Sequence, residues 1–333
     1  MDQLPISRDA DGDVQLAGTG RVSLRIEWES ILGHGGQGAV FLGKILDQHG
    51  RQLIREVAMK IPKVVHDPYG QLREEAEMHS RAWLQLEHVL MPLGYLAADG
   101  ETGTPAMIIM EIGMPFATFL ARAGPLIHRH FMWIKAIARI IFQLLEFIVS
   151  GDAINLLHKD MKMQNVFVVQ ANNLQRVKLA VGDFGAAQLG VEIEGRGITY
   201  RAGVYTWDHT SARMASAFYE ERSARGIAHG DMYFDRQLCF YNDLYGWARV
   251  AFIALADRPP PDVLSGPTPE DYAQVPDLGF GDVVDGVRQL LRFALDLMTP
   301  GSIDEYVDAE YITSFEWYPS LAEVFAGDEG SSH

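Results

Sequence analysis

The sequence is poor in cysteine and in positive charge. Among 333 residues there is one cysteine, Cys239, so an intrachain disulfide and a structural metal cluster held by several thiolates are excluded. Lysine and arginine number 28 against 44 aspartates and glutamates, which gives a formal net charge of −16 at pH 7. Nucleic-acid binding needs a basic face, and no dense run of lysine and arginine occurs. The composition therefore argues against a nucleic-acid partner.

A secretory signal and a membrane-spanning pattern are also missing. The first residues, MDQLPISRDADGD, are acidic and lack the basic and apolar regions of a signal peptide. The most apolar stretch, residues 131–149, is interrupted by polar side chains that share one stripe of a helix: Lys135, Arg139, Gln143 and Glu146. These features predict a soluble, cytoplasmic protein with no membrane partner, and a mostly buried helix at 131–149.

The remaining pattern changes along the chain. Residues 1–21 are polar and rich in glycine and aspartate, so they predict a flexible leader with little to bury. Between residues 22 and 110, apolar and β-branched runs bounded by turn residues predict strands, with a helical pattern at 70–88. Beyond about residue 117 helical periodicity dominates. Strands first and helices later predict an α+β fold with a small β-rich lobe and a larger helical lobe.

A glycine-rich stretch, GHGGQGAV, occupies positions 33–40 between two predicted strands. Its glycines Gly33, Gly35 and Gly38 let the backbone approach a ligand closely, with amides free to meet phosphate oxygens. A dinucleotide-binding fold would need a helix after the glycines, whereas AVFLG has the pattern of a strand. The stretch is therefore either a phosphate-binding hairpin or a turn that binds nothing.

A lysine, Lys60, ends the apolar run VAMKI on the strand that follows. The next helical segment carries Glu74, Glu75 and Glu77, any of which could place a carboxylate against this lysine. The alternatives are a lysine that faces solvent and an acidic first turn that suits the helix dipole. The lysine would then be a cation, paired with a carboxylate, on a strand that packs against the first hairpin.

The stretch HKDMKMQN, residues 158–165, concentrates charged and amide groups between two apolar runs. A hydroxyl that attacks a phosphoryl group needs a carboxylate for its proton and a cation to offset the developing charge. Asp160 and Lys162 supply both, two residues apart in an extended loop. Asn165 and Asp183 can supply oxygen ligands for Mg²⁺, although such residues also form ordinary turns. The combination predicts phosphoryl transfer.

From about Trp28 to Phe325 the chain resembles the eukaryotic-like Ser/Thr protein kinases. The motifs follow the family's order: GHGGQGAV for G-x-G-x-x-G-x-V, VAMK for the strand lysine, HKDMKMQN for H-R-D-x-x-x-x-N, and an unaltered DFG. The resemblance implies a bilobal α+β fold with a small antiparallel β-rich N-lobe that holds one helix, and a larger, mainly helical C-lobe. The implied division is a leader at 1–21, an N-lobe at 22–110, a hinge at 111–116, a C-lobe at 117–326 and a flexible tail at 327–333. ATP and Mg²⁺ are the implied cofactors, and proteins are the implied substrates.

The resemblance also implies roles for individual residues. Lys60 would hold the α and β phosphates and pair with a helix glutamate, with Glu75 preferred over Glu74 and Glu77. Asp160 would be the catalytic acid/base and Lys162 the contact to the γ-phosphate. The implied metal ligands are Asn165 and Asp183. The implied nucleotide contacts are Gly33, Gly35, Gly36 and Gly38 in the phosphate loop, Val40, Ala58 and Phe167 around adenine, Met110 as gatekeeper, Glu111 and Ile112 in the hinge, and Lys60 and Asp183 at the phosphates. Asp243 would brace the catalytic loop, with His158 as a packed backbone anchor.

The activation segment, residues 186–211, departs from the family pattern. The arginine of H-R-D is Lys159, which keeps the charge but loses bidentate geometry, so the need for a phosphorylated segment stays open. The A-P-E element is missing, with Thr210 and Ser211 where its proline and glutamate belong, and the arginine that pairs with that glutamate is absent from MTPGSIDEY. Losing both ends of an ion pair is tolerated, whereas losing one costs about 3–5 kcal/mol. A rebuilt substrate platform is therefore expected. The candidate autophosphorylation sites are Thr199, Tyr200, Tyr205, Thr206 and Thr210.

Three functions remain to be distinguished. The leading one is a Mg-ATP-dependent Ser/Thr protein kinase with autophosphorylation, because a lysine two residues after the catalytic aspartate is the family's Ser/Thr arrangement. A pseudokinase that binds nucleotide or a partner without catalysis is the second, motivated by the altered activation segment. The third is a small-molecule kinase of the aminoglycoside or choline type, which shares H-x-D-x-x-x-x-N but generally lacks DFG and the lysine of the catalytic loop.

Overall fold

The computed structural model describes most of the chain. The described residues are 5–8, 13–34, 38–63, 70–125, 131–202, 206, 209–225, 232–261, 267–268, 271, 281–299 and 307–326. The chain divides into two compact units, the first of residues 1–113 with 182–185 and the second of residues 114–181 with 186–333. The division after Gly113 falls at positions predicted as a hinge, and the predicted tail lies outside the described residues.

The first unit is built on a sheet of eight strands and a helix. Its elements are β1 (Ile6–Arg8), β2 (Val14–Leu16), β3 (Gly20–Arg21), β4 (Ser23–His34), β5 (Gly38–Leu46), β6 (Gln52–Pro62), α1 (Gln71–Gln85), β7 (Pro92–Leu96) and β8 (Met107–Met110). The strands lie in the order β3-β2-β1-β7-β8-β6-β5-β4. Neighbouring strands are antiparallel except β1 and β7, which run parallel.

Part of the segment predicted as a flexible leader, residues 1–21, forms three strands in the structure. Strands β1, β2 and β3 extend the sheet beyond β7. Ile6 is only 1% exposed in the apolar core, and Val14 and Leu16 pack against that core. Gly94 on β7 makes the approach possible, because a Cβ there would lie 2.6 Å from the carbonyl oxygen of Ile6. Few apolar residues suffice here because they add to an existing edge.

The second unit is mainly helical. Its helices are α2 (Phe116–Ala123), α3 (Phe131–Ala153), α4 (Ala212–Arg225), α5 (Arg236–Ala256), α6 (Gly281–Met298), α7 (Ala309–Thr313) and α8 (Trp317–Ala326). Its strands are β9 (Met114–Pro115), β10 (Leu156–Leu157), β11 (Val166–Val169), β12 (Lys178–Val181), β13 (Gln188–Leu189), β14 (Val191–Ile193), β15 (Gly197–Arg201) and β16 (Tyr233–Asp235). They form three small sheets, ordered β10-β13, β12-β11-β9 and β14-β15-β16.

Helix α3 is buried in the way that its sequence predicts. Two residues of its polar stripe are enclosed, and both have partners. The amide oxygen of Gln143 accepts the N–H of Leu179 at 2.9 Å, and the guanidinium of Arg139 donates to the carbonyl oxygen of Phe325 at 2.7 Å. The indole N–H of Trp247 on α5 donates to a carbonyl of α3 at 2.9 Å. Buried polar groups satisfied in this way avoid a large desolvation cost.

The predicted fold class is confirmed. A mainly antiparallel sheet with a helix in the N-terminal region and a mainly helical C-terminal region are the two parts of the bilobal protein kinase fold. Within the described ranges, no helix is both long enough and apolar enough to cross a membrane.

Candidate active site

Lys60 lies on β6, an interior strand of the sheet, on the face opposite to the apolar core. Val57 and Met59 belong to the core of the sheet, and the two-residue period of a strand turns Ala58 and Lys60 the other way. The ammonium of Lys60 donates to both carboxylate oxygens of Glu75, at 2.6 and 2.8 Å, and to Oδ1 of Asp183 at 2.7 Å. All three residues belong to the first unit. Lys60 is thus a buried, paired cation and not a solvent-facing strand lysine.

The periodicity of α1 decides which glutamate meets Lys60. Buried positions on this helix recur at three- and four-residue spacing, and Glu75 is one of them. Glu74 and Glu77 are exposed, and Glu77 instead accepts a hydrogen bond from Nε of Arg73 at 3.0 Å. The preferred partner, Glu75, is therefore the one that the structure pairs with Lys60.

A histidine one turn further along α1 contacts the DFG segment. The imidazole of His79 stacks on the ring of Phe184 with centroids 4.9 Å apart, and its Nε2 donates to the carbonyl oxygen of Leu90 at 2.6 Å. This contact links α1 to the residue beside Asp183. The sequence carries no local signal for it, because the two rings are far apart along the chain.

The two carboxylates keep Lys60 charged. Burial alone would lower the pKa of Lys60, but Glu75 and Asp183 outweigh it and raise the pKa above its ordinary value. The side chain of Glu75 is enclosed, whereas that of Asp183 is 41% exposed. Of the two carboxylates, Asp183 is therefore the one that a ligand or a cation can reach.

Three of the predicted nucleotide contacts share the sheet around Lys60. Val40 on β5 lies opposite Lys60, and Ala58 lies opposite Met110 on β8. Glycine is required at Gly38 because an added Cβ would clash with a carbonyl oxygen of β6. Gly33 lies at the end of β4, and the predicted contacts Gly35 and Gly36 lie outside the described residues.

Glu111, at a position predicted as a hinge, forms two hydrogen bonds with Met91 of the first unit. Its N–H donates to the carbonyl oxygen of Met91 at 3.0 Å, and its carboxylate accepts the N–H of Met91 at 2.7 Å. Burial raises the pKa of Glu111 in spite of this hydrogen bond. The next residue, Ile112, is exposed.

In the second unit, Asp160 holds a hydroxyl and an ammonium together. Oδ1 of Asp160 accepts the hydroxyl of Thr206 at 2.6 Å, and Oδ2 accepts from Nζ of Lys162 at 2.5 Å. Nζ of Lys162 also donates to the hydroxyl oxygen of Thr206 at 3.0 Å. The amide nitrogen of Asn165 donates to the backbone carbonyl of Asp160 at 2.8 Å. Phe167, which the resemblance places next to adenine, lies on β11, the strand that begins directly after Asn165. The sequence identified Thr206 only as a phosphorylation candidate, whereas in the structure its hydroxyl bonds to both Asp160 and Lys162.

Helix α5 supports the loop that carries Asp160. The carboxylate of Asp243 accepts the N–H groups of His158 and Lys159, each at 2.8 Å, which is the bracing that the resemblance implied. Burial raises the pKa of Asp243 to about 7, against the lowering effect of those two hydrogen bonds. Gly246 allows the close approach, because a Cβ there would lie 2.5 Å from the carbonyl oxygen of Met161. The need for Gly246 was not evident from the sequence.

Three of the candidate phosphorylation sites in the activation segment have enclosed side chains. Thr199 and Tyr200 on β15 are buried, and the Thr199 hydroxyl donates to the carbonyl oxygen of Val191 at 3.1 Å. Thr210 is buried as well and donates to the backbone of Thr206 at 3.0 Å. The remaining candidate, Tyr205, lies outside the described residues.

Lys159, which replaces the arginine of H-R-D, is buried. Its Nζ donates to the carbonyl oxygen of Arg201 at 2.5 Å. Burial lowers the pKa of Lys159 to about 8, while Cys239 and Asp243 oppose that shift and the charge of Arg201 adds to it.

This shift predicts a dependence of stability on pH. The unfolded chain, with a lysine pKa near 10.5, binds more protons than the folded one between about pH 8 and that value, so this group stabilises the folded state progressively as the pH rises. Replacing Lys159 by methionine removes the contribution. Denaturant unfolding between about pH 7 and pH 10 should show the stability of the wild type, relative to Lys159→Met, increasing with pH. A constant difference would mean that Lys159 keeps an ordinary pKa.

Two sets of side chains accompany this fold: Lys60 with its two carboxylate partners, and Asp160 with Lys162 and Thr206. Together they define a phosphotransferase of the protein kinase class. The family model described as protein tyrosine and serine/threonine kinase matches residues 26–196, just over half of the chain. The chain therefore belongs to the protein kinase family. No curated protein matches the sequence. The matched region contains the glycine-rich stretch, Lys60, the catalytic loop and DFG, and it ends just before β15.

Proposed function

We propose that this chain is a Mg-ATP-dependent protein kinase that transfers the γ-phosphate of ATP to serine and threonine hydroxyls of proteins, including its own. The observation that carries the proposal is the hydrogen bond of 2.6 Å from the Thr206 hydroxyl to Asp160, with Lys162 donating to the same two groups. An aliphatic hydroxyl, a carboxylate and an ammonium are the three groups that phosphoryl transfer to serine or threonine requires.

The donor groups fit a nucleotide with magnesium. Asp183 offers an accessible carboxylate, and Asn165 uses its amide nitrogen on the Asp160 carbonyl, which leaves the amide oxygen for a cation. Oxygen ligands of this kind suit Mg²⁺, which when bound neutralises charge on the phosphates. Asn165 and Asp183 are the proposed metal ligands.

Each side chain then has a defined task. Asp160 orients the acceptor hydroxyl and takes its proton, while Lys162 donates to the oxygens of the phosphoryl group in transfer. Lys60 donates to the α and β phosphates, and Glu75 holds its ammonium in place at 2.6 Å. The proposed nucleotide contacts are Gly33, Gly35, Gly36, Gly38, Val40, Ala58, Met110, Glu111, Ile112 and Phe167.

The test is a transfer assay with identification of the acceptor. Purified protein is incubated with Mg²⁺ and γ-labelled ATP, alone and with generic protein substrates, and the labelled amino acids are separated after hydrolysis. Phosphoserine and phosphothreonine in both samples are the expected result. Label in phosphotyrosine would contradict the Ser/Thr assignment, and label only in a small hydroxyl compound would contradict a protein substrate. Stabilisation by ATP without any transfer would indicate a nucleotide-binding pseudokinase.

A further inference from the structure

Arg201 and Ser211, on either side of Thr206 in the chain, each form a backbone hydrogen bond with a buried side chain. Nζ of Lys159 donates to the carbonyl oxygen of Arg201 at 2.5 Å. The N–H of Ser211 donates to Oδ1 of Asn242 at 2.9 Å. Lys159 is only 2% exposed and Asn242 only 4%, so both hydrogen bonds are made by side chains that are almost fully shielded from water.

Two neighbouring residues of helix α5, Asn242 and Asp243, support the two ends of this arrangement. Asp243 accepts the N–H of Lys159, which immediately precedes Asp160. Its neighbour Asn242 bonds to the end of the stretch that carries Thr206. One helix therefore fixes the two partners of the Asp160 to Thr206 hydrogen bond.

Strand β15, which leads into this stretch, is paired on both of its edges. It is antiparallel to β14 on one side and to β16 on the other. Just beyond it, the N–H of Ala202 donates to the carbonyl oxygen of Met232 at 2.7 Å. These are backbone hydrogen bonds, so the path of the strand does not depend on a charged or modified side chain.

Phosphorylation would disturb this arrangement. Among the described hydroxyls of the activation segment, several belong to buried residues: Thr199, Tyr200, Thr210 and Ser211. The hydroxyl of Thr206 is engaged by Asp160. A phosphate carries nearly two negative charges, so placing one at any of these enclosed positions would carry a desolvation cost and disturb the packing around it.

We propose that Lys159 and Asn242 are positioning residues that hold the activation segment in its working arrangement, so that transfer needs no phosphorylated residue in that segment. This rests on the proposed kinase function and concerns the regulation of the same site. Lys159 bonds to a backbone carbonyl where a family arginine would meet a phosphate. Asn242 supplies a neutral hydrogen bond where A-P-E would supply an ion pair.

The first test compares Lys159→Met, which removes the donor, with Lys159→Arg, which keeps one. After phosphatase treatment and removal of the phosphatase, the wild type should transfer label without a lag. Lys159→Met should lower kcat by about 10- to 100-fold with KM for ATP within about twofold, because misplacement of reacting groups has effects of that size. Lys159→Arg should recover most of the rate. A lag that ATP preincubation abolishes, or a methionine variant as fast as the wild type, would overturn the proposal.

The second test does not depend on activity. Amide hydrogen exchange of peptides covering residues 197–211 should become faster in Lys159→Met and in Asn242→Leu, while peptides of β6 and α1 should be unchanged and thereby report an intact fold. Unchanged exchange at 197–211 would overturn the positioning roles. If the exchange pattern is as expected but the wild type transfers no label, the proposed kinase function fails while the anchoring of the segment stands.

Discussion

Replacing Asp160 by asparagine is expected to lower kcat for transfer to a protein hydroxyl by about 10²- to 10⁴-fold. The carboxylate accepts the Thr206 hydroxyl at 2.6 Å and the Lys162 ammonium at 2.5 Å. An asparagine keeps the shape and can still accept a hydrogen bond, but it cannot take up a proton or balance the charge of Lys162. The loss should therefore appear in the chemical step and leave KM for ATP nearly unchanged. Initial rates with γ-labelled ATP over a range of ATP concentrations measure both constants.

Asp235→Asn is the matched control. It makes the same chemical change in the second unit, at the residue that caps α5, where Oδ1 accepts the N–H of Leu238 at 2.8 Å. Asparagine and aspartate are equally good at this helix position, so folding and kcat should stay at wild-type values. If Asp160→Asn and Asp235→Asn had similar rates, Asp160 would not be the group that handles the proton.

The second large effect concerns stability, and it should follow from Lys60→Met. The change leaves the enclosed carboxylate of Glu75 and that of Asp183 without their shared ammonium. Removing one partner from a buried ion pair typically destabilises a protein by about 3–5 kcal/mol, because the remaining charge has no compensation. Chemical denaturation followed by a probe in the first unit should show a loss of that size. Phosphoryl transfer should be lost in the same variant, since Lys60 is the proposed phosphate contact.

Two further variants separate the buried charge from the loss of a lysine. Lys44→Met removes an ammonium that bonds to Glu27 at 3.0 Å near the surface of the same sheet, and such pairs contribute only about 0–1 kcal/mol. The double variant Lys60→Met/Glu75→Gln removes both charges of the buried pair and should regain part of the lost stability. Equal losses for Lys60→Met and Lys44→Met would show that the pair is not effectively buried.

The candidate site residues that could be predicted from the sequence are those that belong to short sequence motifs. Lys60, Asp160 and Asp183 occur in short motifs whose residue types follow from the chemistry, and the structure gives Lys60 its two carboxylate partners. Glu75 could be preferred by alignment, but the burial of one face of α1 is what separates it from its neighbours. The overall α+β division follows from hydrophobic periodicity, which is also a local property.

The parts that the sequence missed depend on contacts between distant positions. The Thr206 hydroxyl meets Asp160 across 46 positions, and Ser211 meets Asn242 across 31. A single threonine or asparagine in a loop has many ordinary uses, so neither could be selected from its neighbours in the chain. The strands at the N-terminus were missed for a related reason, since β1 joins them to the sheet through β7, which lies more than eighty residues further along the chain.

Strands β1, β2 and β3 also decide where the protein can be shortened. A version that began at residue 22, the predicted lobe boundary, would turn β7 into an unprotected edge strand and uncover the core around Ile6. Bare edges of this kind invite pairing with a second copy and aggregation. Strands β1, β2 and β3 thus cover this edge of the sheet, and an expressed version that keeps them retains that protection.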